Sequence, residues 1–185
     1  DYDGYLVTGS AAGVYDDFDW IAPLMAFLRD AHAADKPLAG VCFGHQVIAH
    51  ALGGRTEKWH DGWGLGVYEV SLDGAPSWMP SQDSVRLIHI HQDQVVAVPR
   101  DGTLIGSTSF CANAMFHIGD NVFCMQGHPE FTKAYARDLL GVRRELLGET
   151  LYQQGVDSLD EEVHQDRVAL IITDFLAEAA ADTAA

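Results

Sequence analysis

The stretch Leu38-Ala39-Gly40-Val41-Cys42-Phe43-Gly44-His45-Gln46-Val47-Ile48-Ala49-His50-Ala51-Leu52-Gly53-Gly54 decides how this chain reads. Leu38 to Val41 is a short apolar run of the kind that forms a buried strand. Gln46 to Leu52 has a helical pattern, and Gly53-Gly54 stops it. Between them lies Gly40-Val41-Cys42-Phe43-Gly44, a G-x-C-x-G turn with a thiol at its tip. The two glycines allow a tight turn and close packing of helix on strand. A thiol in that place stands above the sheet edge, at a helix N-terminus whose dipole favours the thiolate. The amide of Phe43, one residue on, is placed to donate to an oxyanion. The α/β-hydrolases build a G-x-S-x-G elbow on the same plan.

Outward from this turn, the chain alternates strand and helix patterns. Tyr5 to Val7 reads as a strand, and Thr8 to Gly13 as a small-residue loop. A helix is predicted from Trp20 to Ala34, with Asp16, Asp17 and Asp19 serving its N-terminus. Strand-like runs follow at Gly66–Val70, Val85–Ile90, Thr103–Thr108, Ala114–Ile118 and Val122–Met125. Helical patterns return at Thr132–Leu147 and Val163–Ala179. The whole predicts one domain over residues 1–185, a three-layer αβα fold. Its central sheet is expected to be mainly parallel, with some antiparallel strands between Gly64 and Gln126.

Composition narrows the function. The 185 residues are 48% hydrophobic and 21% charged, which is globular rather than disordered. Eleven basic and 27 acidic residues give a net charge of −16. Such a chain repels phosphate backbones and anionic membrane surfaces, so neither nucleic acid nor membrane is an expected partner. No apolar run approaches the roughly 18 residues of a membrane span. Three cysteines, Cys42, Cys111 and Cys124, are too few for a disulfide framework and suit a reduced, cytoplasmic protein. Cys111 and Cys124 lack the glycine frame of Cys42 and read as core.

A cysteine nucleophile needs a base. Among nine histidines, His128 stands apart in Gln126-Gly127-His128-Pro129-Glu130, directly after a strand. Proline holds the preceding residue extended, which puts His128 in a loop at a strand end. Glu130 lies two residues on, where it can orient the imidazole. Cys42, His128 and Glu130 then form nucleophile, base and orienter. His89, His91 and Asp93 alternate along a strand, and a metal site there is the weaker of two readings. A loop beside the active site is the stronger. Trp59, Trp63 and Trp78 are candidates to line a substrate cleft.

The paired segments Gly40-Val41-Cys42-Phe43-Gly44-His45-Gln46 and Gln126-Gly127-His128-Pro129-Glu130 resemble those of the class I, or triad, glutamine amidotransferases. The separation of 86 positions from Cys42 to His128 suits that family. Tyr5-Leu6-Val7-Thr8-Gly9-Ser10 is similar to its oxyanion strand and loop. His91-Gln92-Asp93-Gln94-Val95 with Pro99 is similar to its H-x-D-x-V…P segment. The likeness runs from about Tyr5 to Leu140, nearest to stand-alone proteins similar to the glutaminase domain of GMP synthase. It implies a flavodoxin-like fold of that family. It also implies an oxyanion hole from the amides of Phe43 and of Gly9-Ser10, with Gln46, His91 and Asp93 binding substrate. The implied substrate is glutamine or another γ-glutamyl compound, and the implied cofactor set is empty, with no metal.

Two departures carry expectations of their own. Gly127 stands where many members have an aromatic residue, which is expected to open the pocket. The family usually has about 40–50 residues before the segment matching Tyr5. The domain is therefore expected to be N-terminally incomplete here, lacking a first strand and helix. Three functions compete on these grounds. The first is a glutaminase that passes ammonia to a synthetase subunit. The second is a γ-glutamyl hydrolase or peptidase without a partner. The third is a non-catalytic relative that binds through the old site, against which the intact Cys42, His128 and Glu130 argue.

Overall fold

A computed structural model describes residues 2–74 and 76–183. Its strands are β1 (Tyr5–Val7), β2 (Leu38–Val41), β3 (Arg55–Lys58), β4 (Gly64–Leu72), β5 (Ser84–His91), β6 (Asp93–Ala97), β7 (Gly102–Ser107), β8 (Met115–Ile118) and β9 (Val122–Met125). Its helices are α1 (Ile21–Ala33), α2 (Phe43–Ala51), α3 (Lys133–Val142), α4 (Arg144–Leu147), α5 (Glu149–Ser158) and α6 (Gln165–Thr183). None of them is long and apolar enough to cross a membrane.

The main sheet has the order β1-β2-β9-β8-β7-β4-β5, and β3 pairs with β6 in a separate ribbon. The expected parallel pairing is found at β1-β2-β9, with α1 as the crossover from β1 to β2 and α2 with β3 to β8 lying between β2 and β9. The other four pairings are antiparallel, so the sheet as a whole is mixed. β8 and β9 are joined by a short turn, and a short turn can only reverse direction. β1 is an edge strand with β2 as its neighbour.

Two apolar layers hold the helices to the sheet. Val122 and Cys124 of β9 face α1 and α2, packing with Leu28, Val47 and Ile48. Phe123 and Met125 face the other way, packing with Val168, Ile172 and Phe175 of α6. This alternation is the pleat of a strand buried on both faces. It also places Cys124 in the core, as expected, and Cys111 is equally buried. A third cluster joins Leu65, Ile88 and Ile90 to Ala136, Leu140 and Leu159.

Several local expectations are corrected. Asp16 does not serve α1, since its carboxylate accepts from the Gly13 amide at 2.8 Å. No acidic residue stands in the first turn of that helix. The predicted helix Thr132–Leu147 is two helices broken at Arg143, and α5, β3 and β6 are additional.

The two glycines around Cys42 do separate jobs. A Cβ on Gly40 would lie 2.6 Å from the carbonyl carbon of Gly44. A Cβ on Gly44 would overlap the Val7 carbonyl oxygen of β1. So α2 starts as close to β1 and β2 as backbone allows. Cys42 absorbs the turn at φ 53° and ψ −105°, a region open to glycine and strained for other residues. Gly44→Ala is expected to destabilise the protein by about 1–3 kcal/mol, although alanine is the better helix former. Cys42→Gly should be more stable than Cys42→Ala by about 1 kcal/mol. Urea unfolding of the three variants measures both.

Candidate active site

β1, β2 and β9 run in the same direction, so their carboxyl ends, Val7, Val41 and Met125, lie on one side of the sheet. The loops that follow them are Thr8–Gly13, the Cys42 turn and Gln126–Glu130. Their convergence puts Cys42, His128 and Gly9 together, in the position where open α/β sheets hold their ligands. A Cβ on Gly9 would lie 3.2 Å from Cε1 of His128 and 3.7 Å from Cβ of Cys42. Gly9 is thus backbone brought within reach of both side chains. Ser10 is one residue further out, and its hydroxyl accepts from the Ala12 amide at 3.1 Å. The Phe43 amide is in the first turn of α2, where helical amides have no acceptor within the helix.

His128 is held from three sides. Its backbone amide donates to the Ile88 carbonyl at 2.8 Å. Its Nδ1 lies 2.7 Å from Oε1 of Glu130. Its ring stacks on Phe131, with centroids 3.9 Å apart and planes 6° from parallel. Burial works against a charged imidazole here, but hydrogen bonds and charge from Cys42 and then Glu130 outweigh it. The result is a pKa raised to about 9. The imidazolium is therefore the form present at neutral pH.

Gln46, His91 and Asp93 meet at a cleft of about 390 Å³. The Gln46 amide nitrogen donates to the Asp93 carbonyl at 2.8 Å and to Oε1 of Gln126 at 3.1 Å. The Asp93 carboxyl is raised by burial, against the pull of the Tyr15 hydroxyl and Lys58. Tyr15 is raised in turn by burial and by Asp93. Tyr15, Lys58 and Arg143 complete the cleft wall, Arg143 lying 5.7 Å over the Trp63 ring. Of the three tryptophans singled out, Trp63 lines the cleft, whereas Trp78 packs on Phe123 and Phe175. His89 and His91 lie on β5 and Asp93 opens β6, rather than on the expected loop. Tyr15, Lys58 and Arg143 escape a reading by motif. They come from separate segments whose spacing carries no signal. A Cβ on Gly127 would lie 2.8 Å from both His89 Nε2 and Leu87 Cβ, so the backbone there runs hard against β5.

The strand ends of this α/β sheet thus gather a turn-borne cysteine, a buried histidine and a glutamate. The chain belongs to the class I glutamine amidotransferase family, whose model, "Glutamine amidotransferase class-I", matches residues 1–139. It is similar to gamma-glutamyl peptidase 3 of Arabidopsis thaliana, 34% identical over 139 residues, covering 71% of this chain and 56% of that protein. It is also similar to the glutamine-hydrolyzing GMP synthase of Bacillus pumilus, 27% identical over 140 residues, 74% of this chain and 26% of the synthase. The chain thus spans little more than half of the first relative and about a quarter of the second. A glutamine amido transferase structure from Methylobacillus flagellatus shares the fold. Its TM-score is 0.79 at 22% identity, covering 98% of this chain and 76% of that one.

The His128 proton has a stability consequence. Folding raises its proton affinity above that of an ordinary histidine at 6.5. The stabilisation is complete below about pH 6.5 and is lost as pH rises through about 9. Unfolding free energy in urea should fall across that window by up to about 3 kcal/mol. In His128→Asn this part of the pH slope should vanish.

Proposed function

We propose that this chain hydrolyses γ-glutamyl C–N bonds through a Cys42 thioester. The observation that carries the reading is the contact of Cys42, on its strained turn, with a charged His128 anchored by Glu130. The Cys42 thiolate attacks the γ-carbonyl carbon, and the amides of Phe43 and the Gly9-Ser10 loop receive the oxyanion. His128 gives its proton to the leaving nitrogen as the C–N bond breaks, leaving a thioester and neutral imidazole. The imidazole then takes a proton from water, which attacks the thioester. Glutamate leaves, and the thiolate–imidazolium pair is restored. Glu130 orients His128 throughout. Gln46 and Asp93, backed by His91, hold the amino-acid end of the substrate, in a cleft that offers both signs of charge, Lys58 and Arg143 with Asp16 and Asp93. That suits a zwitterion.

Two substrate classes fit this chemistry, and the relatives reverse the order in which the sequence motifs rank them. The gamma-glutamyl peptidases of Arabidopsis thaliana support a γ-glutamyl peptide, with the second amino acid as leaving group. The GMP synthases support glutamine, with ammonia released to a synthetase partner. The peptide reading is preferred here. Glutamate release from a γ-glutamyl dipeptide should exceed release from glutamine at equal concentration, without any added protein. An electrophilic glutamine analogue should label Cys42, as read by peptide mass spectrometry. Activity should drop at least about a thousandfold in Cys42→Ala and His128→Ala. Glu130→Gln should cost less, because the Glu130 side chain is half exposed and water shares its role. Label absent from Cys42, together with activity surviving in Cys42→Ala, would sink the mechanism.

A further inference from the structure

His89 has no place in the chemistry above, yet it is fully buried behind it. Its Nδ1 lies 3.3 Å from Nε2 of His91. His91 Nδ1 lies 3.1 Å from the Asp93 carbonyl oxygen. These contacts determine where the protons sit. A carbonyl only accepts, so His91 must carry its proton on Nδ1. Burial drives His91 down to about 3 and His89 well below its usual range, helped for His89 by the neighbouring imidazoles His91, His128 and His45. Both rings are therefore neutral, with one proton each. Nε2 of His91 is then a bare acceptor, and only Nδ1–H of His89 can satisfy it. That leaves Nε2 of His89 bare, and it is the one ring nitrogen of the pair without a partner.

The line of donors continues to the cleft. The Asp93 carbonyl that receives His91 also receives the Gln46 amide nitrogen at 2.8 Å. Gln46 spends its other amide proton on Gln126 at 3.1 Å. With both N–H groups engaged, Gln46 has only its oxygen left for a ligand. It can accept from an ammonium group but cannot donate to a carboxylate. The amide would lose this fixed sense if the Asp93 carbonyl turned away.

We propose that His89 is a positioning residue: its Nδ1 proton locks the tautomer of His91, which holds the Asp93 carbonyl on Gln46 and leaves the Gln46 oxygen to accept the α-ammonium group of a γ-glutamyl substrate. The substrate half of this inference rests on the γ-glutamyl hydrolase reading. The tautomer lock does not. His89 also fills the space where residue 127 would carry a side chain, since a Cβ on Gly127 would touch its Nε2 at 2.8 Å.

Two variants separate donor from bulk. Asparagine puts an amide N–H where Nδ1 of histidine lies, whereas leucine fills similar space without a donor. His89→Leu should raise KM for a γ-glutamyl dipeptide about tenfold, with kcat within about threefold of the parent. His89→Asn should return KM to within about threefold of the parent. Alkylation of Cys42 by iodoacetamide, which needs no amino-acid subsite, should proceed at the parent rate in both. Imidazole ¹⁵N spectra of the parent should show His89 and His91 each protonated on Nδ1 alone, and His91 should lose that single form in His89→Leu. Equal KM values for the leucine and asparagine variants would overturn the proposal, as would a proton on Nε2 of His89. Slowed alkylation with unchanged KM would reduce His89 to packing. If the parent cleaves no γ-glutamyl compound, the hydrolase reading and the substrate half fail together, and the spectra still decide the tautomer lock.

Discussion

The close approach of α2 to the strands beneath it governs the rest of the site. Two missing methyl groups set that distance, at Gly40 against the first turn of α2 and at Gly44 against the Val7 carbonyl. The approach has three effects at once. It forces Cys42 into a backbone region that side-chain-bearing residues avoid. It draws the end of β1 against the helix start, which brings the Gly9 loop beside the thiol. It also turns the amides of the first helical turn towards the same point. Strain at Cys42 is the cost of having all three within one turn of chain.

The base is secured by a more distant part of the fold. β5 lies at the opposite edge of the sheet from β1, yet Ile88 of β5 accepts the His128 amide and forms a bridge with it. The sheet must curl for its far edge to reach the loop after β9, and its antiparallel half, with strong twist, supplies the curl. The half that carries the nucleophile and the half that anchors the base thus have different pairing for a mechanical reason. His128 is pinned in backbone, ring plane and ring nitrogen, so its geometry does not depend on a mobile loop.

The legible parts of the sequence were those governed by short-range constraint. Glycines at 40 and 44 and proline at 129 dictate local backbone whatever surrounds them. β2 and β9 are apolar on both faces and read as strands without help. β3 was not legible, because Arg55-Thr56-Glu57-Lys58 buries only Thr56 and pairs in a peripheral ribbon. α5 was missed for a similar reason: of its ten residues only Gly155 is buried. The cleft was half legible. Gln46, His91 and Asp93 follow from their neighbours in the two motif segments. Lys58 and Arg143 arrive through tertiary packing of elements that carry no motif.

The contact between residues 89 and 127 ties two segments far apart in sequence. Glycine at 127 leaves room for the His89 imidazole, which approaches from β5. Neither position is readily changed alone. A ring at 127 facing His89 is overpacked, and glycine at 127 facing a small residue at 89 leaves a hollow beside the base. The two positions are therefore coupled by packing, and each limits what the other can hold.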